Sequence, residues 1–162
     1  MRPEGASLER LRFLVRIVRK QIKLLHRSDQ TLFSSIQKPW SLAELESDDL
    51  LANAVETFVA RFGRLQDILG DKLLPRLLKA LGENPSSFVD NLDLAEKLGW
   101  MESVSDWLSM RALRNQMIHE YLEDLHILKI ALEKAHAFVP KIIQVANNLI
   151  QEINRRGWLV TE

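Results

Sequence analysis

The fold is decided by residues 103 to 124, which read SVSDWLSMRALRNQMIHEYLED and carry the pattern of an amphipathic helix. Ser103 is expected to cap this helix, because its hydroxyl can accept a hydrogen bond from a free amide of the first turn. Asp106 places a carboxylate in that turn, where the helix dipole favours it. The apolar side expected to pack against the rest of the protein consists of Leu108, Ala112, Met117 and Ile118.

The same helix carries an unusual set of polar side chains, Arg114, Asn115, His119 and Tyr121. A helix that only packs has no need of these four residues so close together. Arg114, His119 and Tyr121 form the string Arg-x4-His-x-Tyr, which resembles the motif of HEPN domains. The tyrosine two residues after the histidine is similar to the HepT-like branch of that family. By motif and helix order, the resemblance covers roughly residues 45 to 155.

The resemblance implies a function. HEPN domains are small helical proteins that typically dimerise with both motifs facing a shared cleft. Many of them are metal-independent endoribonuclease toxins that a partner nucleotidyltransferase neutralises. We therefore expect a homodimer, an RNA substrate, a nucleotidyltransferase antitoxin and no cofactor.

The implied chemistry is attack of a ribose 2′-hydroxyl on the adjacent phosphorus. His119 can act as base or acid, because histidine exchanges protons near neutral pH. Arg114 offers a charged fork that suits phosphate oxygens, and Asn115 is a supporting residue. Tyr121 is a phosphate contact and resembles the residue that the partner modifies with AMP. We expect no metal site, since His119 and Glu120 face different directions on a helix.

Helix geometry leaves the assembly of this site open. At about 100° per residue, Arg114 and Tyr121 point nearly the same way, whereas Arg114 and His119 lie about 140° apart. Either the helix bends near His119, or the site combines groups from two copies of the chain. The resemblance favours the second arrangement.

The sequence leaves two alternatives to an enzymatic function open. One is a non-catalytic helical module that docks a nucleotidyltransferase or its substrate. The other is purely structural, with Arg114 paired to Asp106 or Glu120 and His119 satisfied in the core. The remaining histidines show no ligand spacing, and we interpret them as structural or surface residues. They are His26, His126 and His136.

Composition limits the class of protein. A chain of 162 residues fits one domain, and the absence of cysteine excludes disulfides and thiolate metal sites. The net charge is zero, but residues 2 to 27 hold eight Lys or Arg against two Glu, a net +6. The exposed side of the first helix is either a solvated face or a surface for RNA or an acidic partner. That possible surface consists of Arg12, Arg16, Arg19 and Lys23.

No stretch approaches the roughly 20 apolar residues that span a bilayer, and the first residues lack the apolar core of a signal peptide. We therefore expect a cytoplasmic protein without membrane contact.

The remaining pattern predicts an all-α, up-and-down bundle of about five helices. Residues 1 to 46 are expected to pack on the bundle as a basic helix, capped by Ser7 and running to residue 27, and a connector. Trp40 in that connector is an anchor either into the core or into a partner. Residues 47 to 157 form the core, with helix starts at Ser47 and Asp124. Gly70 is expected to weaken the core helix and Pro75 to break or kink it after Leu74, whereas Pro140 is expected to kink the last helix. Residues 158 to 162 form a short, loose tail.

Overall fold

The computed structural model describes residues 2–33 and 41–160, and within those ranges the chain is helical and contains no strand. The prediction of an all-α fold is confirmed. Counting α3, the π-helical turn and α4 as one interrupted helix, the described residues form six helices, against about five predicted. The elements are α1 (Gly5–Phe33), α2 (Leu42–Ser47), α3 (Asp49–Asp67), a π-helical turn (Ile68–Leu73), α4 (Leu74–Ala80), α5 (Phe88–Lys97), α6 (Val104–Glu123) and α7 (Leu125–Arg155).

The first helix belongs to the core rather than lying on it. Leu11, Val18 and Leu25 are fully buried, and α1 packs mainly against α3 and α7. The helix is longer than predicted at both ends. It begins at Gly5, so Ser7 lies inside its first turn and is not the cap, and it ends at Phe33. Trp40 lies outside the described residues.

The main core helix starts one residue later than predicted. Asp48, not Ser47, is the cap: its Oδ1 accepts hydrogen bonds from the amides of Leu50 at 2.9 Å and Leu51 at 3.3 Å. A carboxylate at this position satisfies two free amides and also complements the helix dipole. The predicted helix is therefore present, with its cap one residue later than predicted.

The chain does not break near Gly70 and Pro75. It stays helical through a π-helical turn, and Pro75 is the second residue of α4, directly after that turn. Gly70 is closely packed: a Cβ built on it would lie 3.0 Å from Phe88 Cε2 and 3.4 Å from Trp107 Nε1, so the phenyl ring would have to move by a few tenths of an ångström. Through this turn, α3 and α4 form one continuous helical segment, and the residues from Glu56 to Lys79 all lie on it.

The motif helix α6 is rotated relative to the prediction. Leu108, Ala112 and Ile118 are exposed, and of the expected apolar side only Met117 is buried. Burial of the large Trp107 ring sets the rotation and turns the opposite side outward. The residues that pack are Trp107, Met110, Leu113 and Met117.

The corner between α6 and α7 is a single residue, Asp124. Its Oδ1 accepts from the amides of His126 at 3.0 Å and Ile127 at 3.2 Å, which confirms the predicted start of the last helix. This helix passes through Pro140 and ends at Arg155, before Gly157. Among the residues that the structure describes, none of the helices combines the length and apolarity needed to cross a membrane.

Candidate functional site

A cleft of about 420 Å³ lies between α3 and α6. Its walls are mainly apolar, and three polar side chains, Glu56, Arg114 and Tyr121, reach into it. Arg114 and Tyr121 were predicted to point the same way, and the structure brings them together here. The lining residues are Glu56, Val59, Ala60, Arg114, Met117, Ile118 and Tyr121.

The Arg114 guanidinium is held by an ion pair with Asp67 of α3, neither of the partners expected for it. Its Nη1 donates to Asp67 Oδ1 at 2.5 Å, and 29% of the Arg114 side chain is exposed. The side chain reaches Asp67 by lying across Gly63, one turn earlier on α3. A Cβ on Gly63 would meet Arg114 Nε at 2.5 Å and Cδ at 2.9 Å. Gly63 thus provides the notch in which the arginine lies.

A second contact fixes α6 against α3 one turn before Arg114. The buried Gln66 side chain donates from Nε2 to the Met110 carbonyl at 3.2 Å. A buried amide bonded to a backbone carbonyl sets both the distance and the rotation of a helix. Gln66 therefore helps to position the arginine without entering the cleft.

Tyr121 is half-buried and lines the cleft together with Glu56. Burial raises the pKa of Tyr121 above its ordinary value, and the negative charge of the nearby Glu56 carboxylate raises it further. The more distant Asp49 adds to the same shift. At neutral pH the phenol is therefore an uncharged hydrogen-bond donor.

His119 does not line the cleft with Arg114. Its side chain is 65% exposed, and Nε2 lies 3.0 Å from Glu123 Oε2, one turn further along α6. Because α6 stays helical through Glu123, the angular separation expected from a straight helix persists. Asn115 is exposed on the outward side of α6. A single chain therefore presents Arg114 and Tyr121 in one place and His119 in another.

Glu120 and Glu123 lie closer to His119 than the sequence suggested. One ligand atom from each of the three side chains lies within 4.8 Å of the other two, although His119 and Glu120 were expected to face apart. The group is on the surface, and paired acidic residues on exposed helices are common. We assign it no ligand.

The predicted basic surface of α1 has to be corrected at Arg12. Its Nε donates to the Trp158 carbonyl at 2.8 Å and its Nη2 to the Val160 carbonyl at 2.9 Å. Trp158 is buried, with 6% of its surface exposed, so residues 158 to 160 pack on α1 and are not a loose tail. Arg12 is a tail anchor; Arg16, Arg19 and Lys23 are exposed as expected.

The other histidines match their interpretation as structural or surface residues. His136 stacks on Phe33 with ring centroids 4.3 Å apart, and its Nδ1 lies 2.6 Å from Asp29 Oδ1. His26 and His126 are exposed.

Three residues of the site were not identified from the sequence: Glu56, which lines the cleft, and Gly63 and Asp67, which hold Arg114. A glycine in the middle of an otherwise strong helix was a usable signal, because glycine there is unfavourable by about 1 kcal/mol unless packing requires it. The two carboxylates carried no such signal. Together with Arg114 they give the site of one chain a single cation against two anions.

Comparisons with protein-family models, with curated proteins and with solved structures give no match to this chain.

Proposed function

We propose that the chain is a metal-independent endoribonuclease whose working site forms between two copies. One copy contributes Arg114 and Tyr121 in the cleft, and the other contributes His119. The protein would be the toxin half of a toxin–antitoxin pair. A partner nucleotidyltransferase would neutralise it, with Tyr121 as the residue that it modifies with AMP.

One observation carries the composite site: Arg114 lies inside a cleft, while His119 is exposed on a different side of the same helix, about 140° around its axis. Two apolar side chains of α6 are exposed on the same helix, Leu108 (40%) and Ile118 (54%), and Ile118 is the residue before His119. Because Ile118 also lines the cleft, a second copy packed against it would cover the cleft, and we propose that this copy's His119 lies beside the first chain's Arg114.

The reaction follows from these groups. The imidazole takes the proton of the 2′-hydroxyl, the 2′-oxygen bonds to phosphorus, and the bond to the 5′-oxygen breaks as that oxygen takes the proton from the imidazolium. The guanidinium stabilises the charge on the phosphorane oxygens. The products are a cyclic phosphate and a free 5′-hydroxyl. A nucleotide on Tyr121 would fill the cleft and place negative charge beside Arg114, which accounts for neutralisation.

The test is cleavage of single-stranded RNA in EDTA by the purified chain and by Arg114→Ala and His119→Ala. The proposal expects cyclic phosphate ends from the parent and a large loss of rate in both variants. His126→Ala is the matched control, since His126 is exposed and outside the cleft. If both variants cleave RNA at the parental rate, Arg114 and His119 are not the catalytic residues and the assignment of the site is wrong.

A second candidate is a non-catalytic module of the same fold that docks a nucleotidyltransferase or its substrate. The Arg114–Asp67 ion pair favours it, because an arginine already neutralised by a carboxylate attracts phosphate weakly. This candidate expects a stable complex with the partner and no RNA cleavage at any protein concentration. Substitution of the exposed Leu108 and Ile118 by serine would then weaken the complex, with no activity to lose.

A further inference from the structure

The structure places a second concentration of positive charge away from the motif, where the start of α1 meets the ends of α4 and α7. Two adjoining clefts share Arg76 and Lys79 and together form what we term the basic cleft. Two acidic residues, Glu4 and Asp71, line it, against six basic ones. The basic residues are Arg2, Arg10, Lys72, Arg76, Lys79 and Arg156.

This excess of charge is local. The whole chain holds 22 basic and 22 acidic residues, so a net +4 in one concave region is a marked departure. Arg156 is already bonded to Glu152 at 2.8 Å. Arg76 and Lys79 are exposed and have no ion-pair partner among the described residues, so their charge is available to a ligand.

We propose that the basic cleft binds the phosphate backbone of single-stranded RNA and holds the strand that the motif site cuts. The inference rests on the proposed function for the identity of the strand. The basic cleft would supply the positive charge that the cleft between α3 and α6 lacks, since Asp67 and Glu56 offset the charge of Arg114 there. Four of the six cations are arginines, whose planar forks match phosphate oxygens, and two joined clefts fit a linear ligand. Arg76 lies nine residues beyond Asp67 on the continuous helical segment of α3 and α4, roughly 14 Å along the helix axis.

Binding is measured separately from cleavage with a labelled single-stranded RNA oligonucleotide and the His119→Ala chain as the parent. Arg76→Gln with Lys79→Gln removes two charges from the basic cleft. Lys97→Gln with Lys134→Gln removes two exposed charges elsewhere, and Arg16→Gln with Lys23→Gln removes two from α1. Circular dichroism and thermal unfolding establish that each variant folds.

The variant with Arg76→Gln and Lys79→Gln, the cleft variant, is expected to bind RNA about tenfold more weakly at low salt. The slope of the logarithm of its RNA affinity against the logarithm of the salt concentration should be about 1.4 shallower, the value for two lost phosphate contacts with a single strand. The other two variants should bind nearly as the parent does. Parental binding by the cleft variant, or a loss confined to the α1 variant, overturns the inference. Binding of oligoglutamate in place of RNA also overturns it, since the partner would then be an acidic protein.

The two proposals fail separately. RNA binding that depends on Arg76 and Lys79, in a chain that never cuts RNA, contradicts the proposed catalysis and supports the basic cleft. RNA cleavage by a chain whose RNA binding does not depend on Arg76 and Lys79 supports the proposed catalysis and contradicts the inference about the basic cleft.

Discussion

Arg114 lies so closely across Gly63 that a methyl group on the glycine would occupy the position of the arginine side chain, 2.5 Å from its Nε. The two helices approach here because one position carries no side chain. The arginine is therefore placed by a residue on another helix, 51 positions earlier in the sequence.

Gly63→Ala is expected to lower RNA cleavage about a hundredfold, as loss of one group that stabilises transition-state charge does. The reason is displacement of Arg114, since alanine favours the helix itself by about 1 kcal/mol. Thermal unfolding should therefore show an intact fold. Gly5→Ala is the matched control, because none of the residues that the structure describes comes within 4 Å of a Cβ there. Full activity of Gly63→Ala would show that the notch does not matter.

Asp67→Asn is expected to strengthen RNA binding about two- to fivefold, because an exposed ion pair worth up to about 1 kcal/mol no longer competes with phosphate for Arg114. The measurement is RNA affinity in the His119→Ala background. Asp106→Asn is the control, since it breaks another ion pair of α6, with Lys141 at 2.9 Å. Weaker binding after Asp67→Asn would mean that the carboxylate orients the arginine for phosphate.

Tyr121 is the only tyrosine of the chain, so an alkaline titration of near-ultraviolet absorbance reports this residue alone. The midpoint should lie above the ordinary value of 10.0, because the pKa of Tyr121 is raised. Glu56→Gln should lower the midpoint, whereas Glu83→Gln in the exposed loop should leave it unchanged.

The same shift predicts the pH dependence of stability. A raised pKa in the folded state means that the contribution of Tyr121 is complete below about pH 10, the value for an unfolded tyrosine, and is lost as the pH rises through the folded pKa. Glu56→Gln should flatten this alkaline loss in denaturant unfolding. An unchanged profile would contradict the Glu56–Tyr121 contact.

Arg12→Ala is expected to lower the free energy of unfolding by about 1–2 kcal/mol, since it removes two charged hydrogen bonds to the carbonyls of Trp158 and Val160. Arg16→Ala, on the exposed side of the same helix, should change stability by less than about 0.5 kcal/mol. Denaturant unfolding measures both. Equal effects of the two substitutions would show that residues 158 to 160 do not depend on Arg12.

The sequence predicted the helices well because their signals are local. Caps such as Ser103 and Asp124 act within one turn, and the spacing of apolar residues on α1 and α7 repeats often enough to be unambiguous. Prediction failed where tertiary packing chose between local options. Gly70 looked like a weak point and is a contact surface, and Pro75 was accommodated by a π-helical turn.

The site was predicted in part for the same reason. The angle between Arg114 and Tyr121 follows from helix geometry, so their shared cleft could be expected. The apolar side of α6 could not, because apolar residues lie all around this helix and only the burial of Trp107 fixes its rotation. Asp67, Glu56 and the tail carbonyls held by Arg12 are contacts between distant parts of the chain, to which no local pattern points.

The most direct test of the composite site mixes Arg114→Ala with His119→Ala chains under conditions that allow subunits to exchange. In a mixed dimer, the intact Arg114 of one chain meets the intact His119 of the other, and one of the two sites is complete. Random exchange is therefore expected to restore about a quarter of the parental RNA cleavage. No recovery after proven exchange would mean that both groups must come from one chain, which contradicts the account.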